Sequence, residues 1–239
     1  MSGDPDGRRE ASWCIIGEVA ADPEVLRTQM VDLLMARGVL TSPAVEAAMR
    51  SVARHRFLPE TSPRLAYADD AVMVKYALSG QPLSSASQPT MVAIMLELLG
   101  VEAGQRILEI GTGTGYNACL LATLTGVQGR VVSVELEPDL AEMARRALTE
   151  AGVPNVTVVA GDGREGYPAL APYDRVIVTT GADRISPAWT DQLDPAGRLV
   201  LPLVDRTGVG TLVVCEWVQG RLSRRQSTPC AFLPIRGET

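Results

Sequence analysis

Ile107-Leu-Glu-Ile-Gly-Thr-Gly-Thr-Gly-Tyr116 reads as a buried strand that enters a glycine-rich turn and leaves it as a helix. The spacing carries information. A dinucleotide-binding turn would need glycines at 111, 113 and 116, but position 116 is Tyr. The glycines here are Gly111, Gly113 and Gly115. Working outward, residues 91–99 read as a helix closed by Gly100, and residues 116–124 as the helix after the turn. RVVSVE, a helix over residues 138–150, VTVVAGD and DRVIVTTGA follow in alternation. Short strands alternating with helices predict a Rossmann-like, doubly wound, mostly parallel α/β sheet. Beyond Gly197, RLVLPLV and TLVVCEWV read as an antiparallel closing pair.

Before the sheet the pattern turns helical. Val25, Leu26, Met30, Leu33 and Leu34 fall on one predicted face, and Gly38 ends that helix. Ser42 and Pro43 open a second helix carrying Val45, Ala48, Met49 and Val52. Residues 54–89 read as a long loop-rich stretch, of the kind that carries function. The division is therefore 1–88, a helical cap with a substrate-recognition loop, and 89–239, the core. Residues 1–12 read as a polar tail.

Composition narrows the function. Apolar residues make up 46% of the 239, enough for a sizeable core. Acidic residues outnumber basic ones 28 to 22, so an overall nucleic-acid footprint is absent. No apolar run reaches the length of a membrane span. Cys14, Cys119, Cys215 and Cys230 are scattered and His55 is the one histidine, so neither a metal site nor a disulfide framework is expected. The reading is a reduced, cytoplasmic protein.

Three strand ends carry ligand-type residues. Glu109, Gly111, Thr112, Gly113 and Gly115 form the first group. Glu135 and Leu136 form the second, with Glu135 suited to ribose hydroxyls. Asp162 and Gly163 form the third, with Asp162 suited to an adenine amino group. Each alone also fits an ordinary turn or a solvated charge. Together they resemble the binding motifs of class I S-adenosyl-L-methionine-dependent methyltransferases, in which a carboxylate such as Glu109 suits the ammonium of the donor. Thr179-Thr-Gly-Ala182 replaces the Asn/Asp-Pro-Pro-aromatic motif of base amino-methyltransferases, which disfavours that chemistry.

VARHRFLPE, AYADDA, GQPLSSASQPTMVA, LEIGTGTGY, GDG, APYDRVIVTTGA and QLDPAGRLVLP occur in the order seen in the protein-L-isoaspartate O-methyltransferase family, which the chain resembles from about residue 52 to 204. The resemblance implies S-adenosyl-L-methionine as donor, S-adenosyl-L-homocysteine as product, a peptide or protein carboxylate as acceptor, and a monomer. It assigns Ser87 to catalysis and implies substrate contacts from Ser84, Ser85, Gln88 and Tyr67. The serines could equally cap the helix that starts at Pro89. A carboxylate is already ionised at neutral pH, so the reaction needs alignment rather than a base. His55 is accordingly read as structural, and Arg54 and Arg56 as partners of Glu60 or of substrate acids. Trp189 is read as a core residue on a helix and Cys119 as apolar filler.

The stretch from Gln81 to Ser87 departs from the family by a two-residue insertion. With SSxSQP and the terminal PCAFLPIRGE, it resembles a divergent branch acting on ribosomally made modified peptides (RiPP biosynthesis). There an aspartate is methylated and the ester closes to an aspartimide. This is the first expectation for substrate. The alternative is repair of isoaspartyl residues in damaged proteins. A non-catalytic nucleoside-binding module is a third reading, disfavoured by the elaborated loop at Ser87.

Overall fold

The computed structural model describes residues 22–237, so the polar tail expected over residues 1–12 lies outside the described residues. The chain opens with α1 (Pro23–Ala36) and α2 (Pro43–Ser51). Their starts follow local rules. Asp22 and Ser42 accept hydrogen bonds from Glu24 N–H and Val45 N–H, and a proline opens each first turn. In α1 the buried stripe is Met30, Val31 and Leu34, whereas Val25 and Leu33 are exposed. Leu26 of the first half also packs against the core, so Leu26, Met30 and Leu34 of the expected face turn inward and Val31 takes the place of Val25 and Leu33.

Residues 54–89 are not a loop. A 3-10 turn over Arg54–Phe57 leads to α3 (Pro63–Ala66), then to a hairpin of β1 (Val72–Tyr76) and β2 (Pro82–Ala86). The core follows as α4 (Pro89–Leu99), β3 (Arg106–Ile110), α5 (Tyr116–Thr125), β4 (Arg130–Glu135), α6 (Pro138–Glu150), β5 (Val156–Ala160) and β6 (Tyr173–Val178). It ends with α7 (Pro187–Asp191), β7 (Leu193–Val204), β8 (Val209–Val218) and β9 (Arg221–Ala231).

The large sheet has the order β5-β4-β3-β6-β7-β8-β9. It is parallel from β5 to β7, and β8 and β9 then add antiparallel. The expected antiparallel pair is β7–β8, and β9 extends it. Strand period separates two faces. Ile107, Val131, Ile177 and Val200 lie in one hydrophobic cluster with residues of α4, α5 and α6. Leu108, Val132, Val176 and Leu199 lie in the other, with Trp189 of α7 and the 3-10 segment around Leu170. Long helices thus cover one face, and short turns cover the other. Residues of α1 and α2 belong to the first cluster, so the cap shares the core's hydrophobic interior. Each fully buried Leu, such as Leu34 or Leu96, contributes about 1.5–3 kcal/mol.

The end of α4 shows how tightly the core is tied. Gly100 turns the chain at φ 59°, and Arg175 and Arg198 donate to the carbonyls of Leu99 and Leu98 at 2.9 and 3.0 Å. Trp189 is buried, as expected, and its Nε1 donates to Gly163 O at 2.8 Å. Cys119 is buried, and desolvation pushes its thiol up to about 11. Among the described residues no helix is long and apolar enough to cross a membrane.

Candidate active site

The C-terminal ends of β3, β4 and β6 open onto a cavity of about 590 Å³, a volume suited to a small cofactor with part of its substrate. Gly111 lies at φ 96°, and an added Cβ would sit 2.7 Å from Thr179 Oγ1. Only glycine meets both demands. The turn is then pinned from β4. Gly111 N–H donates to Val134 O at 2.8 Å, and Gly113 N–H donates to Glu135 Oε2 at 2.8 Å. Glu135 Oε1 accepts from Glu137 N–H at 3.1 Å. Two backbone donors thus aim the Glu135 carboxylate along the cavity wall, where Thr112, Gly113, Leu136 and Gly163 also lie.

Other expected cofactor residues sit behind that wall. Glu109 is fully buried and does not line the cavity. It shares a strand face with Ser133, its register partner on β4, and accepts from Ser133 Oγ and from Asn117 Nδ2. Its role is to tie β3, β4 and α5 together, with Asn117 between it and the cavity. Burial pushes its pKa up to about 7, against those hydrogen bonds, and the nearby Glu135 charge pushes the same way. Gly115 faces Ala144 of α6 at the start of α5 and is likewise off the wall. Asp162 faces a neighbouring cavity, where its Oδ1 accepts from Arg164 N–H at 2.8 Å. Gly237 packs on the Asp162 carboxylate so closely that a Cβ there would collide with it. Leu136 lines both cavities and joins them.

The acceptor end is assembled from distant segments. Ser84 and Ser85 lie on β2, and Ser87 and Gln88 lead from it into α4. All four line the cavity. The serines do not cap α4. That role belongs to Asp69, whose carboxylate accepts from Thr90 N–H at 2.9 Å and Thr90 Oγ1 at 2.7 Å. Burial alone would raise its pKa, but hydrogen bonds from Thr90 and Arg37 prevail and hold it below the usual range. Gln88 Nε2 donates to Asp69 O at 2.8 Å, so its amide is engaged inside the protein. Tyr67 is not on the wall. It is buried, and its hydroxyl is hydrogen-bonded to His55 Nδ1 at 2.9 Å. Burial, with the charges of Arg56 and Arg27, keeps the imidazole of His55 below its usual range, in keeping with a structural part.

Sequence reasoning missed two parts of the wall and left a third, Arg54, open between Glu60 and substrate acids. Arg54 does not pair with Glu60. It is buried at the cavity, where Nε donates to Ala66 O and Nη2 to Ser87 O, both at 2.8 Å. Tyr116 lines the cavity with its hydroxyl buried and unpaired among the described residues. The segment from Phe232 to Arg236 crosses the mouth, held by Gly181 N–H to Leu233 O and Ile235 N–H to Gly181 O, each 2.7 Å. It ends in a clasp. Arg236 Nη1 and Lys75 Nζ each lie 2.6 Å from Glu137, so the hairpin and the C-terminal segment meet on one carboxylate. The proline at 234, just past β9, was the available signal that a strand gives way to a crossing segment.

A model of the protein-L-isoaspartate(D-aspartate) O-methyltransferase family matches residues 26–239. The chain belongs to this family. The protein-L-isoaspartate O-methyltransferase of Methanopyrus kandleri is 40% identical over 224 residues, covering 92% of this chain and 96% of that one. A second relative of that name, from Archaeoglobus fulgidus, is 42% identical over 195 residues, covering 81% and 85%. A solved protein-L-isoaspartate O-methyltransferase aligns with a TM-score of 0.81 at 31% identity, over 88% of this chain and 66% of that one. A Plasmodium falciparum structure in complex with S-adenosyl-L-homocysteine aligns with a TM-score of 0.76 over 88% of this chain, and at 18% identity it speaks for the fold. This family member is an S-adenosyl-L-methionine-dependent protein carboxyl O-methyltransferase. The cavity fits that cofactor: its wall offers a glycine-rich turn with close backbone at Gly111 and Gly113, an oriented carboxylate at Glu135 and an apolar surface at Leu136.

Proposed function

We propose that this chain methylates the free carboxylate of isoaspartyl residues in proteins. The observation that carries the reading is the make-up of the acceptor end, within a chain of this family. That end offers three serines and a buried cation, with no histidine on the wall. Alcohol or amine acceptors call for a base to remove a proton, whereas a carboxylate does not. The acids on the wall are Asp70, which is exposed at the rim, and Glu135, which accepts from two backbone N–H groups.

When bound, S-adenosyl-L-methionine supplies an electrophilic methyl group on sulfur. Glu135, the Gly111–Gly115 turn and Leu136 would hold it, with Asp162 reached through the adjoining cavity. Ser87 would donate a hydrogen bond to one oxygen of the acceptor and leave the other free to attack. Ser84 and Ser85 would orient the flanking peptide. The crossing segment from Phe232 to Arg236 would exclude water.

The isoaspartyl acceptor moves ahead of the modified-peptide acceptor expected first. That expectation rested on the longer stretch between Gln81 and Ser87. Residues Pro82–Ala86 of that stretch form strand β2, paired with β1 through two register shifts, so the length difference is taken up in a hairpin. Eight curated relatives at 37–45% identity carry the isoaspartate name. The test pairs a linear isoaspartyl peptide with its aspartyl twin, followed by mass spectrometry. The expected result is a gain of one methylene on the isoaspartyl peptide alone, then loss of methanol as a succinimide closes. Turnover of the aspartyl twin, with none of the isoaspartyl peptide, would restore the modified-peptide reading.

A further inference from the structure

Arg54 is the cation the core should not tolerate. It is 1% exposed, yet no carboxylate lies within ion-pair distance of it among the described residues. Buried charges are ordinarily paired. Arg164 and Arg198 follow that rule, at 3.1 Å from Asp183 and 2.6 Å from Glu216, and buried Arg175, held by the carbonyls of Leu99, Gly100 and Asp174, still has Glu102 at 3.9 Å. Arg54 has two carbonyls instead, Ala66 O and Ser87 O, and Nη1 makes no hydrogen bond among the described residues. Its guanidinium carbon sits 5.0 Å from the centroid of the Tyr116 ring. The nearby acid, Asp69, is already committed to Thr90 and Arg37. Among the described residues this leaves a positive charge without an ion-pair partner on the wall of the cavity, beside Ser87 and a Tyr116 hydroxyl that no described residue partners.

We infer that Arg54 selects the acceptor by charge: it is the resident cation of a site whose missing anion is the substrate carboxylate. This rests on the carboxyl-methylation reading above. The guanidinium is neutralised when the acceptor enters. Its hydrogen bond to Ser87 O also fixes the backbone that carries the Ser87 hydroxyl. Methylation converts the anion into a neutral ester, so the same charge that draws substrate in holds product less firmly. Because the carboxylate loses its charge as the methyl group arrives, a cation aids binding of the anion more than it aids the transition state. Arg54 is thus a positioning and specificity residue, and its loss should fall mainly on KM.

The experiment measures binding of two peptides to the enzyme saturated with S-adenosyl-L-homocysteine. One carries an isoaspartyl residue, and the other is its neutral isoasparaginyl amide. The wild-type protein should prefer the acid by about tenfold to a hundredfold, the range of a hydrogen bond to a charged group. Arg54→Gln should bind both within about twofold of each other, raise KM by a similar factor and change kcat much less. Arg54→citrulline keeps the N–H donors to Ala66 and Ser87 while removing the charge, so it serves where the Gln variant does not fold. Calorimetric affinity for S-adenosyl-L-homocysteine shows which variants are folded. A purely structural Arg54 would leave the acid–amide preference intact in the citrulline variant, and that result would overturn the inference. A wild-type protein with no preference for the acid would overturn it as well. Should the wild type turn over only aspartyl peptides, the isoaspartyl reading fails, and the same comparison with an aspartyl and asparaginyl pair still decides the part played by Arg54.

Discussion

The two ends of the cavity are built by different means. The donor end is made from strand ends and backbone. Gly111, Gly113 and Glu135 converge because β3 and β4 are parallel neighbours with fixed register, and a two-residue period puts Glu109, Ser133 and Glu135 on one face. The acceptor end is made from side chains far apart in sequence. Arg54, Ser87, Tyr116 and Phe232 meet only after the hairpin and the C-terminal segment have folded over the sheet. A donor site of backbone suits a cofactor that is the same in every turnover. An acceptor site of side chains can be retuned to a substrate one residue at a time.

The largest expected effect lies beneath the donor end. Glu109 has its pKa raised from 4.5 to about 7, chiefly by burial. Between those values the folded protein keeps a proton that the unfolded chain has released. Unfolding then releases a proton, so stability falls as pH rises through this window and stays lower above it. Glu109→Gln removes the titration while retaining an acceptor for Asn117. The variant should match the wild type near pH 4.5 and exceed it by up to about 3 kcal/mol above pH 7. Chemical denaturation across pH reads the difference. A constant gap would show that Glu109 is ionised throughout.

A reciprocal pair of substitutions breaks the comparison if the two ends are not separable. Glu135→Ala strands the N–H groups of Gly113 and Glu137 and removes the oriented carboxylate. Affinity for S-adenosyl-L-homocysteine should fall about tenfold to a hundredfold. Ser87→Ala should leave that affinity unchanged and lower kcat by a comparable or smaller factor, about 1.5–3 kcal/mol for a hydrogen bond to a charged group. Calorimetry and steady-state kinetics on both proteins give the four numbers. Loss of cofactor affinity in Ser87→Ala would mean that one network serves both ends.

The same contrast explains what could be read from the sequence. The strand, turn and helix at Ile107–Tyr116 were legible because burial, period and glycine spacing are local signals. So was Glu135 as a strand-end acid. Period could not tell which side of the turn each carboxylate occupies, and Glu109 proved to be a buried tie rather than part of the wall. The β1–β2 hairpin was missed because Pro82, Ser84 and Ser85 break the apolar alternation that marks a strand. Tyr67 and Arg54 were only partly legible for a related reason. An aromatic in a loop reads as a contact residue, and an arginine two residues from another leaves both Glu60 and substrate acids open as partners. Only packing shows Tyr67 turned toward His55 and Arg54 turned inward.

The smallest expected effect concerns the join between the two ends. Arg236 bridges from the C-terminal segment to Glu137 at 2.6 Å and donates to Leu83 O at 3.3 Å, while Lys75 reaches the same Glu137 from the hairpin. Arg236 is 37% exposed, so screening leaves the pair worth no more than about 1 kcal/mol. Arg236→Ala should therefore lower Tm by only a few degrees. Its clearer effect should be kinetic, because this contact closes the mouth over both ends. Dissociation of S-adenosyl-L-homocysteine should quicken by a few-fold at low salt, and the gap from the wild type should narrow as ionic strength rises and screens the native pair. Stopped-flow displacement at several salt concentrations measures this. Equal rates in the two proteins at low salt would show that the clasp holds the C-terminal segment in place without governing access to the cavity.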